Sequence, residues 1–208
     1  MAETQPHPRP ISDIRLDGGR LCIDFVNTIH DRFAADVEDY IATPERYLEW
    51  AKRSGAIAPD EAIGLSSFEG DPEPLLADIR ALRDALYLLL SASADGAPLP
   101  ADALHVQNSW LKRARQSEIL SHSGMLEFHA ERDDARAPLK RIALDLVDTL
   151  ADARGKARAA PLRQSAELRL AVCRHQQEWK APMVRDGNLR HHQQNGHASE
   201  QEQVAGCG

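Results

Sequence analysis

Aromatic residues make up only 5% of this 208-residue chain, and there are three cysteines: Cys22, Cys173 and Cys207. Few aromatics with abundant alanine, leucine and arginine favour helices over sheets. An odd, scattered cysteine set excludes a disulfide framework. No apolar run is long enough to cross a bilayer, and the opening MAETQPHPRP is polar and proline-rich, unlike a secretory signal. A cytoplasmic location without membrane association is the expectation. Positive charge is also in deficit: Lys and Arg total 25 against 32 Asp and Glu, a net charge of −7. That argues against broad nonspecific binding of nucleic acid, which needs a basic face. There is no GxSxG, no Walker loop, no HExxH, and no GxGxxG between a strand and a helix, so nothing marks an enzyme.

What is there is helical periodicity. Residues 1–10 read as a flexible arm, and Ile11 to Leu16 as a short strand ended by Asp17-Gly18-Gly19. Leu21, Cys22, Phe25, Val26 and Ile29 recur at helix spacing through Asp31. A second helix begins with Thr43 as N-cap and Pro44 in the first position, and stops at Gly55. A third, short helix follows Pro59-Asp60-Glu61. The strongest helix spans about residues 74–94, with Leu75, Leu76, Ile79, Leu82, Leu86 and Leu89 in one stripe. Ala101 to Arg115 is a fifth helix, with Leu104, Trp110 and Leu111 inward. Residues 119–130 read as a hairpin around Ser123-Gly124. The sixth helix, residues 137–153, turns Leu139, Ile142, Leu146, Val147 and Leu150 to one face. The fold class is therefore α+β and predominantly helical, with a short N-terminal strand and a β-hairpin. From Arg174 onward the large aliphatics are only Val184, Leu189 and Val204. Such a tail cannot bury enough apolar area to offset its ordering entropy and is expected to be disordered.

Arg20, Asp24, Asn27 and Thr28 form the candidate ligand-binding set. Asp24 and Thr28 are i, i+4 neighbours with Asn27 beside both. The same residues also suit helix capping and a buried hydrogen-bond network, the commoner use of such groups. Arg80, Arg83 and Asp84 read as intrahelical ion pairs. Cys22 on an apolar face reads as an inert core thiol. A catalytic alternative uses Asp24, His30 or Cys22 in a cleft. A further alternative is a homodimerising interaction module. The tail's Cys173, His175, His191, His192, His197 and Cys207 lack the close pairing of a zinc site, so no catalytic residue, metal ligand or cofactor is assigned to the chain as translated.

The segment GGRLCIDFVNTIHDR, residues 18–32, resembles the opening signature of the ABATE domain. TPERYLEWAKRSGAI, IRALRDALYLLLSASADG and LKRIALDLVDTLAD followed by PLRQ are similar to its later helices. The resemblance covers roughly residues 11–165. It implies a bacterial, stress-related transcription regulator whose first domain senses an unknown small ligand or protein. A following CGNR zinc finger then binds DNA, and Arg20, Asp24, Asn27 and Thr28 match the signature.

The finger that should follow PLRQ is missing. Residues 165–194 read SAELRLAVCRHQQEWKAPMVRDGNLRHHQQ, without its cysteine pattern. Reading Leu168 to Arg190 one nucleotide later changes this. Trp179 before Lys180 must then give Gly, and Met183 before Val184 must give Trp. Allowed synonymous codons elsewhere yield CGWRFVDTSKNGRRRWCEMATCG, which is nearly word for word the finger expected for the family. Residues 166–208 are thus expected to be an out-of-frame remnant of the finger, with a frameshift near Ala166–Leu168. Zinc is expected only in an intact family member, and DNA binding, implied at the family level, is not expected of this chain.

Overall fold

In the computed structural model, residues 9–30, 32–33, 37–58, 61, 68–131 and 134–159 are described. The N-terminal arm, the short helix after Pro59 and the whole tail from residue 160, including the boundary at 165, lie largely or wholly outside them.

Chain order runs from a 3₁₀ turn at Ile11–Asp13 to α1 (Leu21–Val26), β1 (Ile29–His30), β2 (Glu38–Asp39) and α2 (Pro44–Arg53). Then come α3 (Pro72–Ala94), α4 (Ala101–Arg115), β3 (Glu118–Leu120), β4 (Leu126–Phe128) and α5 (Ala137–Ala159). The class is α+β and mostly helical, with two antiparallel two-stranded hairpins. Helices α3, α4 and α5 pack on one another; α1 sits against α3 and α5, and α2 against α3 and the N-terminal turn. Among the described residues no helix is long and apolar enough to cross a membrane.

The helix starts follow local chemistry. Thr43 caps α2, its hydroxyl accepting the Arg46 N–H at 3.4 Å, with Pro44 in the first turn. Asp71 caps α3 by accepting the Glu73 N–H at 3.1 Å, so the same cap-proline pattern starts this helix at Pro72, ahead of Pro74. Leu75, Ile79, Leu82, Leu86 and Leu89 of α3 are fully buried. On α4 the buried face runs through Ala103, Gln107, Trp110 and Ala114, with Leu104 at its border. The small alanines let α4 approach closely, and Gln107 donates across to the Ala143 carbonyl of α5 at 2.8 Å.

Two expected elements differ. Ile11 to Leu16 is not a strand. Ile11 and Ile14 are buried three apart, the spacing of a 3₁₀ turn, and the Arg53 guanidinium takes both their carbonyls, Ile11's at 2.7 Å. Two carbonyls that a strand ladder would use are therefore already taken. The first helix also ends at Val26, short of Asp31. The Thr28 hydroxyl donates to the Phe25 carbonyl at 2.7 Å. The chain then extends into β1, where Ile29 faces Asp39 and His30 faces Glu38.

Removing side-chain volume from α3 tests this core. Leu86→Ala should cost about 2–5 kcal/mol in urea denaturation. Leu88→Ala, at a side chain 48% exposed, should stay within about 0.5 kcal/mol. Equal losses at both positions would contradict the packing described.

Candidate functional site

The candidate residues sit on and around α1, a six-residue helix entered through a glycine turn. Gly19 has φ +69°, a left-handed conformation. Gly18 has a different constraint: a Cβ there would lie 2.8 Å from Asp24 Oδ1 and from Ile23. The bare backbone lets the Gly18 N–H donate to Asp24 Oδ1 at 2.8 Å. Burial pushes the Asp24 carboxyl up to about 6 from an ordinary 3.8; that Gly18 bond and Arg53 oppose the rise, while Asp17 and Asp145 add to it.

Arg20 occupies the N-cap of α1 and its side chain caps nothing there. The cap comes from α5: Asp145 Oδ2 accepts the Cys22 N–H at 2.9 Å. Arg20 follows the same route, its guanidinium 3.6 Å from Asp145 Oδ1 and paired with Asp152 two turns further on. Cys22 Sγ lies 3.3 Å from Thr149 Oγ1, also on α5. Burial raises that thiol far above its ordinary range, with Asp145 adding to the effect. This is the opposite of what an activated nucleophile requires.

The far end of α1 meets α3. Thr28 Oγ1 accepts from Arg83 Nη1 at 2.9 Å. Arg83 is buried to 1% exposure, and its fork grips the Asp39 carboxylate at 2.8 and 2.6 Å. Asp39 Oδ1 also accepts the Ile41 N–H at 3.0 Å. A carboxylate holding an Arg fork in two places is the geometry that compensates a buried guanidinium. Beside it, Arg32 donates to Asp84 at 2.9 Å and to the Val26 carbonyl at 3.2 Å, and lies 4.6 Å over the Tyr87 ring.

The four residues therefore take different partners. Arg20 reaches α5, Asp24 turns back to Gly18, Thr28 reaches α3, and Asn27 is buried at the C-cap of α1. Arg80 does pair within its own helix, with Glu73. Arg83 does not: its partner is Asp39, because Asp84 points outward to Arg32. Sequence reasoning passed over Asp39, Asp145 and Asp152. Two signals were present. An arginine at the cap of α1 means that the cap must come from elsewhere. An arginine between Ile79, Leu82 and Leu86 on an apolar stripe demands a buried partner. Among the described residues no group of three or more His, Cys, Asp or Glu side chains is arranged to hold a metal.

Compared with known proteins, residues 19–153, well over half of the chain, match the model of the ABATE family, described as "Putative stress-induced transcription regulator". No curated protein and no solved structure matches the chain.

Two outcomes are expected. Asp39→Ala strands a buried charge and should cost about 3–5 kcal/mol in urea denaturation, whereas Arg83→Met with Asp39→Leu should cost less than the single change. If the double variant is the worse of the two, the buried pair is not what Asp39 serves. The second concerns pH. The folded state holds the Asp24 proton more tightly than the unfolded chain, so this group's contribution is complete below about pH 4 and is lost as pH rises through about 6. Asp24→Asn should therefore gain stability relative to the parent between those values and level off above. Parallel stability–pH curves would contradict that.

Proposed function

The chain belongs to the ABATE family, and from that premise we propose that residues 11–165 are the ligand- or partner-binding domain of a bacterial stress-responsive regulator. As translated, the chain does not read DNA. The observation that carries the first part is the position of Arg20. Its side chain is 36% exposed, and it joins the family signature to Asp145 and Asp152 on α5, the helix that leads into the C-terminal residues. An anionic group arriving at Arg20 competes with those carboxylates, so binding there is coupled to how firmly the second half of α5 is held. Asp24, Asn27 and Thr28, spaced along α1 and its C-terminal end, are the rest of the proposed ligand-binding set. A ligand shifts α5 only by as much as it prefers the released arrangement.

The domain is proposed as a binder rather than an enzyme, and the raised thiol of buried Cys22 supports that choice. Loss of DNA recognition rests on the sequence after residue 165. An intact finger would set four thiolates around zinc, and metal binding would supply much of its folding free energy. Here only Cys173 and Cys207 follow α5. The residues present do not make a four-thiolate site, and no cofactor is assigned to the chain as translated.

Gel-shift titration of two proteins tests the proposal: the chain as written, and one with the reading frame restored from Leu168. With zinc, the restored protein should bind duplex DNA, its affinity falling steeply with salt as phosphate contacts are screened. The chain as written should not bind. Tight, salt-sensitive binding by the chain as written would refute this reading.

A further inference from the structure

The β3–β4 hairpin carries four of the seven large apolar side chains that are exposed among the described residues: Ile119, Leu120, Met125 and Leu126, at 50, 71, 66 and 62%. Its base is anchored. Lys140 Nζ reaches Ser117 Oγ at 3.2 Å, and Arg141 lies 4.4 Å over the Phe128 ring. Beyond that base the two strands pack chiefly on each other. A two-stranded ribbon of this length is marginal alone, and exposed strand edges template further pairing.

The hydrogen bonds say which groups are free to pair. The His129 N–H donates to the Ser117 carbonyl at 2.7 Å and the Ser121 N–H to the Met125 carbonyl at 2.8 Å. With Ile119 opposite Glu127, the antiparallel alternation turns the backbone groups of Ser117, Ile119 and Ser121 toward β4. It turns those of Glu118 and Leu120 toward the outer edge of β3.

We propose that this outer edge of β3 pairs, antiparallel, with the same edge of a second copy of the chain, about a twofold axis at Ile119. Charge selects the edge. Pairing through β4 about Glu127 sets two like carboxylates directly opposite, which is destabilising. Pairing through β3 sets Ile119 against Ile119 and Glu118 against Leu120. The Glu118 carboxylate is already neutralised by Arg115 at 2.9 and 2.8 Å. The residues from Arg174 onward hold almost no aliphatics with which to compete for this edge. The proposal stands on the hairpin alone and does not rest on the regulator reading.

In such a dimer the two Ile119 residues form a non-hydrogen-bonded pair, with Cα atoms roughly 4.5 Å apart, within reach of a disulfide. The test uses the full chain with Cys173→Ser and Cys207→Ser, carrying either Ile119→Cys or Glu127→Cys and oxidised with glutathione disulfide. Ile119→Cys should give a covalent dimer several-fold more abundant than Glu127→Cys. In sedimentation velocity at about 100 µM, where a micromolar Kd leaves mostly dimer, the parent chain should sediment as a dimer. Ile119→Lys should sediment as a monomer with an unchanged far-UV circular dichroism spectrum, showing that the fold is kept. A monomeric parent at that concentration overturns the proposal. So does equal or stronger cross-linking through Glu127→Cys, or an Ile119→Lys variant that stays dimeric.

Discussion

The guanidinium of Arg83 lies within the packed interior, and its charge must be met there. Asp39 meets it with both carboxylate oxygens, and Thr28 adds its hydroxyl. These contacts bring together the end of α1, the strand β2 and the middle of α3, segments separated by as many as 55 residues. The β1–β2 ladder has only two residue pairs, too few to hold a hairpin by itself. The ion pair supplies what the ladder lacks. An arginine whose removal alone would leave Asp39 half-buried without its fork, and a carboxylate whose removal strands the arginine, fix each other. Arg32 repeats the connection one turn away, from the Val26 carbonyl to Asp84 and the face of Tyr87.

The opposite end of α1 is held to α5 in a different way. There the link is partly exposed: Arg20 to Asp145 and Asp152, with Asp145 also capping the Cys22 N–H. Exposed ion pairs are weak and screened by salt, so the Arg20 pairs can open at small cost while the buried Arg83 pair stays shut. The segment thus carries a buried ion pair at one end and partly exposed ones at the other. The exposed pairs adjoin the helix that leads to the C-terminal residues. That asymmetry is the physical basis of the sensing role proposed here.

Much of the frame was legible in the chain. Thr43-Pro44, the leucine stripe of α3 and the Ser123-Gly124 turn each state their structure through local chemistry, and each occurs near the expected place. The misreadings share one cause: a distant partner overrode a local pattern. Ile11 to Leu16 looked like alternation, but the Arg53 guanidinium took its carbonyls. The apolar spacing through Ile29 looked helical, but Thr28 closed the last turn and handed the chain to β1. Arg83 read as paired with a carboxylate of its own helix, and nothing local pointed to Asp39. The same holds for the candidate site. Arg20, Asp24, Asn27 and Thr28 were recognisable as a set, but that they face three different partners depends on where α3 and α5 pass.

Hydrogen exchange read by mass spectrometry addresses the junction most directly, because it reports each helix separately. In Arg20→Ala the account predicts faster exchange in α5 from Asp145 onward, with α3 and α4 unchanged. Unaltered α5, or a uniform rise across all three helices, would contradict it.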